Sequence, residues 1–231
     1  MSDFFLNMPR HATAYAMPLK YADKGYEKRG RNGTVHQWAL ERLAFLKGSL
    51  PGRVITVFLN DNTDVVAARD GRPLMSSHGY SDHDGIMARS GCGAIDTSIV
   101  FQLSAAGYSP ERIDQILSRE SGFTALAGAE TGLAELLVRD TPGAAMARDI
   151  FSYQLLKAIG ACAAVLEGAD SIVFIGEGLP EIRDWSQEFL GELEFLGFKA
   201  CQDPVGEGAF MMASGVAADA WFFDLDQRLL M

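Results

Sequence analysis

Arg53-Val54-Ile55-Thr56-Val57-Phe58-Leu59 (RVITVFL), followed by Asp64-Val65-Val66-Ala67-Ala68 and Pro73-Leu74-Met75-Ser76-Ser77, is the stretch on which the fold turns. The first run is rich in β-branched residues and reads as a strand. The second is another, and Arg69-Asp70-Gly71-Arg72 between the second and third is a hairpin signal. Strand, tight turn, strand, turn, strand is an antiparallel meander. Immediately upstream, Val35, Trp38, Ala39, Leu43 and Leu46 fall at helical spacing in Thr34 to Lys47. Gly48 and Pro51 end that helix. Further back, Lys24 to Gly33 is basic and glycine-containing, as in a loop, and Met8 to Met17 is broken by Pro9 and Pro18.

Downstream the pattern turns helical. One helix is predicted over Ile95 to Ala105. Ser109-Pro110-Glu111 supplies a cap, a first-turn proline and an early acid for the next. Thr141-Pro142 starts the longest, to about Glu167, with a small-residue stripe at Gly160, Ala161, Ala163 and Ala164 that fits tight packing on a sheet. Ser171 to Ile175 is a buried strand ending at Gly176-Glu177-Gly178. Glu181 to Leu196 is an amphipathic helix, Phe198 to Cys201 and Ala209 to Ala213 are short strands, and Ala217 to Leu230 is expected to close the chain as a helix. The division predicted is an N-terminal extension and helix over 1–50, packing on an α/β domain over 51–231.

A chain of 231 residues can bury a substantial core as one large domain. Its net charge of -10 repels phosphate backbones, which argues against a nucleic-acid partner. No apolar run reads as long enough to span a membrane, and the N-terminus lacks the basic start and apolar stretch of a signal peptide. Cys92, Cys162 and Cys201 are odd in number and form no CxxC, so they read as reduced thiols of a cytoplasmic protein.

A set of strings in constant order carries a more specific message. Ile95-Asp96-Thr97-Ser98-Ile99-Val100-Phe101 is similar to the IDPAxVF of the acetate/propionate kinase family. Ser121-Gly122-Phe123 through Gly128 resembles its SGLLGLSG, Lys157 to Ala164 its KYIGAYAA, Asp170 to Arg183 its DALVFTAGIGENSPLVR, and Leu193 to Gly197 its LEFLG. Upstream, Met8 to Pro18 resembles MPxxAYxYALP, and Gly33-Thr34-Val35-His36 resembles the GTSH of HGTSH. The resemblance runs over nearly the whole chain. It implies an actin/hexokinase-like (ribonuclease H-like) α/β fold, a mixed sheet flanked by helices whose first strands are the meander. It also implies Mg-ATP-dependent phosphoryl transfer to a short carboxylate, a homodimer through this C-terminal domain, and an active site shared with an N-terminal domain. A full-length acetate kinase or a separate N-terminal domain is thereby an expected partner.

The chemistry-bearing positions depart from the family. Phosphoryl transfer depends on positioning and on neutralising charge, hence on cations, magnesium-binding carboxylates and backbone NH cradles. The family's catalytic histidine corresponds to Asn32, which cannot become cationic, while His36 keeps the second histidine of the motif. The glycine-bearing HLGNGAS phosphate loop corresponds to Phe58 to Asp64, where Asp61 and Asp64 add negative charge. The string also reads simply as an Asn/Asp hairpin turn. The arginine of TRSGD corresponds either to Gly91 or, shifted by two residues, to Arg89, and both registers stand at this point. The SDLRDL segment reads Thr131 to Leu136 with its charges lost, and TNEE reads Ser214-Gly215-Val216-Ala217. What remains for nucleotide is the shortened turn Gly176, Glu177, Gly178. These losses predict a domain without kinase activity on its own.

A second constellation is Ser76 to Gly85, where the family has a segment lining its substrate cleft. His78, Asp82 and His83 are metal-ligating residue types within six positions, so a metal site is one expectation. A polar loop with capping aspartates is the other.

Overall fold

The computed structural model describes residues 3–128, 131–177, 179, 181–197, 204–205, 209–213 and 219–224. Its centre is a pair of parallel strands, β1 (Arg53–Leu59) and β4 (Ser171–Gly176). Strands β2 (Asp64–Arg69) and β3 (Arg72–Ser76) extend one side antiparallel, as the meander predicts. On the other side β7 (Asp219–Asp224) runs parallel to β4, followed by the antiparallel β6 (Ala209–Ala213) and β5 (Pro204–Val205). The sheet order is β3-β2-β1-β4-β7-β6-β5.

Nine α-helices surround this sheet among the described residues. Two single-turn helices, α1 (Arg10–Thr13) and α2 (Leu19–Ala22), precede α3 (Gly33–Lys47). After β3 come α4 (Thr97–Ala105), α5 (Pro110–Arg119), α6 (Gly122–Ala127), α7 (Leu133–Val138) and the long α8 (Pro142–Leu166); α9 (Arg183–Glu192) follows β4.

The period-two geometry of a strand sends alternate side chains to two cores. Ile55, Val57 and Leu59 of β1 join Phe151, Leu155 and Ile159 of α8 on one face. Val54 turns to the other face with Phe4, Phe5, Ala39, Leu40 and Leu43. Burial on both sides is why RVITVFL carries no internal charge. Helix α8 docks by a stripe at helical spacing, Ala144, Ala147, Phe151, Leu155, Ile159 and Cys162, all fully buried.

Three expectations change. The terminal helix over Ala217 to Leu230 is instead a strand where it is described. Ala220 and Phe222 face the first core while Trp221 and Phe223 face the second, an alternation that only extended backbone provides. Phe222 stacks on Phe174 of β4 with ring centroids 4.8 Å apart. The helix over Glu181 to Leu196 starts at Arg183 and breaks after Glu192 into a short 3-10 turn, Glu194–Leu196. Helix α8 is, by length and composition alone, long and apolar enough to cross a membrane, contrary to the sequence reading, although its buried stripe serves the core. The strand placed at Phe198 to Cys201 lies outside the described residues, as does Cys201. Cys92 and Cys162 are free thiols, and burial pushes the Cys162 thiol up to about 12.

One polar thread crosses the second core. His36 of α3, wholly buried, bonds Thr56 Oγ1 of β1 through Nδ1 (2.7 Å) and Asp64 Oδ2 of β2 through Nε2 (2.9 Å). The amide of Asn32, in left-handed conformation at the start of α3, donates to Asp64 Oδ1 at 2.9 Å. These bonds fix α3 in register against two strands. His36→Ala is expected to lower unfolding free energy by about 3 kcal/mol, because it strands Asp64 without its buried partner. Asn32→Ala is expected to cost about 1 kcal/mol. Urea titration of both variants checks the ranking.

Candidate functional site

Ligands of open α/β sheets lie beyond the carboxyl ends of parallel strands. Here β1 ends at Leu59 and β4 at Gly176, side by side. A Cβ on Gly176 would stand 2.7 Å from the Leu59 carbonyl oxygen, so glycine is what allows the two ends to close up. Beyond them opens a cleft of about 790 Å³. Asp61, Glu135, Glu177 and Glu181 line it, with Arg89 as the one arginine among the described lining residues. Glu177 of the expected nucleotide turn is therefore at the cleft; Gly176 ends β4 just before it, and Gly178 lies outside the described residues.

Two loops give the cleft its polar chemistry. The first is the β1–β2 turn. The Asn60 side chain accepts from the Asn62 amide (2.8 Å), and the Thr63 hydroxyl donates to the Asn60 carbonyl (2.8 Å). This is an Asx-type hairpin closed by its own side chains. It projects Asp61, whose Oδ1 accepts from the Leu133 amide at 2.8 Å and whose Oδ2 pairs with Arg89 Nη1 at 3.4 Å. Gly132, the residue before α7, gives that helix no side-chain cap, so Asp61 caps it from 72 positions away.

The second loop carries Arg89. Its amide donates to the Asp61 carbonyl (2.7 Å), and its own carbonyl accepts from the Thr124 amide at the start of α6 (2.9 Å). Gly122 has φ +70°, and a Cβ there would sit 2.1 Å from the Ala88 carbonyl oxygen. The Ser121-Gly122-Phe123 string thus has a steric reason: it lets α6 press against the arginine loop. Arg89 reaches the cleft; Gly91 lies instead in a second, smaller cavity of about 110 Å³.

Asn32 and His36 do not enter the larger cleft. His36 is sealed in the core, and both are joined through Asp64, a link the sequence did not reveal. The residue beside them does reach a cavity: Arg31 lines the smaller one, with His78, Asp82 and Asp84. Arg31 ion-pairs with Asp82. Burial first, and Arg31 second, hold His78 below the ordinary imidazole range. Arg31, Asp84 and Tyr15 were not singled out from the sequence. An arginine directly before the histidine-replacing Asn32 was the available signal.

The expected metal set does not assemble. His83 Nε2 turns to Asp114 of α5 at 2.8 Å, whereas Asp82 turns to Arg31 and stays 4.0 Å from His78 Nε2. Adjacent residues 82 and 83 point at different elements. Among the described residues no three His, Cys, Asp or Glu side chains are grouped to hold an ion.

The acetokinase family matches residues 2–213. An acetate kinase of Clostridium beijerinckii is 33% identical over 207 residues, covering 85% of this chain and 51% of that protein. The crystal structure of Porphyromonas gingivalis acetate kinase superposes with a TM-score of 0.84 at 24% identity, over 96% of this chain and 59% of that one. A propionate kinase structure from Francisella tularensis gives 0.85 at 23% identity, over 98% and 60%. The chain spans about half the length of the acetate kinase relative with which it shares 33% identity. The strand order and these superpositions give the actin/hexokinase-like fold, and the sequence match along most of its length shows that the chain belongs to the acetokinase family.

Proposed function

We propose that this acetate/propionate kinase-like domain does not transfer phosphoryl groups by itself and acts as a binding or regulatory homologue. Asp61 carries the reading. A phosphate entering the cleft needs the helix-end amide and the arginine that Asp61 already engages. The Asx hairpin offers no glycine cradle, and three further carboxylates line the walls. Asn32 gives no cation where the family pattern has histidine. The residues present do not fit Mg-ATP, so no catalytic step is assigned to it.

Self-association through this domain is part of the proposal. Helix α4 (TSIVFQLSA) has no buried residue and no charge, and it leaves Phe101 71% exposed. In a chain of net charge -10, such a neutral apolar face is where two copies meet with least repulsion. A full-length acetate kinase or a separate N-terminal domain is the alternative partner. A second reading, an active phosphotransferase completed by such a partner chain, draws on one observation: Arg89 still lines the cleft.

Calorimetry with ATP and with ADP, magnesium present, is expected to show no heat at millimolar nucleotide. Micromolar binding would overturn the proposal and move attention to the completed-enzyme reading. Asp61→Asn is expected to remove the carboxylate charge beside Arg89 and increase the affinity for inorganic phosphate, while lowering stability by about 1 kcal/mol through a weakened cap. If phosphate affinity stays unchanged in a folded variant, Asp61 is not what blocks the site.

A further inference from the structure

The smaller cavity holds opposed charges. On one side Arg31 pairs with Asp82, whose side chain is 60% exposed, so that solvent can take its place at low cost. His78 stands beside them, its side chain 13% exposed and its Nε2 4.0 Å from Asp82 Oδ1. Asp84, also lining the cavity, is pinned. The Gly85 amide donates to its Oδ1 at 2.8 Å and the Tyr15 hydroxyl to its Oδ2 at 3.2 Å. That hydroxyl in turn accepts from the Tyr80 amide at 2.9 Å. Gly79 makes room for the arrangement, since a Cβ there would lie 1.9 Å from Asp84 Oδ2. Ser77 and Thr63 add hydroxyl-bearing walls.

We infer that this cavity binds a small carboxylate bearing a hydroxyl or ammonium group next to the carboxyl, with the carboxylate replacing Asp82 on Arg31 and the donor group reaching Asp84. The guanidinium fork suits a carboxylate in two-point contact. A bare short-chain acid satisfies Arg31 but sets a methyl group against the Asp84 carboxylate, whose remaining lone pairs then lose water without gaining a donor. At about 110 Å³ the space suits a small acid, not a nucleotide. The inference rests on the reading that the domain binds ligands without phosphorylating them, and it names the ligand class.

The test is calorimetry with glycolate and lactate, with glycine and alanine, and with acetate and propionate as matched unsubstituted acids. The hydroxy acids, the amino acids or both are expected to bind at least tenfold tighter than acetate and propionate, and the two arms separate the sources of the donor. Arg31→Gln is expected to weaken that binding tenfold or more. Asp82→Asn, which neutralises the internal competitor, is expected to strengthen it; a merely structural Arg31–Asp82 pair predicts no gain. Thermal melts establish that each variant is folded. The inference falls if none of the four substituted acids binds at tens of millimolar, if acetate binds as well as glycolate, or if Asp82→Asn weakens binding. An acyl phosphate assay with ATP and each acid keeps the two conclusions apart. Product formed from a tightly bound hydroxy or amino acid would sink the non-catalytic reading and leave the cavity assignment standing. Silence in the assay together with no acid binding would do the reverse.

Discussion

The structure depends on β1 being buried on both faces while paired in parallel with β4. A central strand of this kind must be apolar on alternate sides for two separate cores, and its end must coincide with the end of its parallel neighbour. The first requirement brings α8 to one face and α3 to the other. The second brings Leu59 and Gly176 together and opens the larger cleft beyond them. The only polar side chain inside the strand, Thr56, is tolerated because His36 meets it at 2.7 Å. The same bond that excuses a polar group in the core sets the position of α3, and hence of Arg31 and Asn32 at its entrance.

Two aspartates on the β1–β2 hairpin divide the work that follows. Asp64 points inward and ties α3 to the sheet; Asp61 points outward and caps α7 while holding Arg89. Both are acceptor-only groups within the segment that resembles the family's phosphate loop. Each finds donors within its own chain, so the extra negative charge is absorbed as structure. The Arg89 loop, α6 and α7 are thereby joined around a single carboxylate.

Much of the fold was legible because its signals are local. The meander reads from Asp70-Gly71, whose positive φ angles suit a tight turn, and α5 and α8 read from Ser109-Pro110 and Thr141-Pro142, whose hydroxyls do cap those helices. The strand β7 was misread because its identity comes from a ladder with β4, some fifty positions away in the chain; a run of Ala, Trp and Phe suits either backbone until that partner is known. The candidate site was legible as residue types and not as geometry. Asn32 and His36 were named, but the carboxylate joining them is 32 and 28 residues distant. His78, Asp82 and His83 were grouped by proximity in sequence, and the loop then turned successive side chains toward α5 and toward Arg31. Side-chain direction in a loop follows from long-range contacts that spacing does not encode.

The bond between Asp61 and the start of α7 has a thermodynamic corollary. A protein whose cleft is finished by its ligand borrows stability from that ligand, and its unfolding free energy rises with the logarithm of ligand concentration. Here the counter-charge belongs to the chain, at an effective concentration that metabolism cannot change. The share of the cleft's stability that this bond supplies is therefore the same whatever surrounds the chain, since it is set by the fold and not by the concentration of any solute.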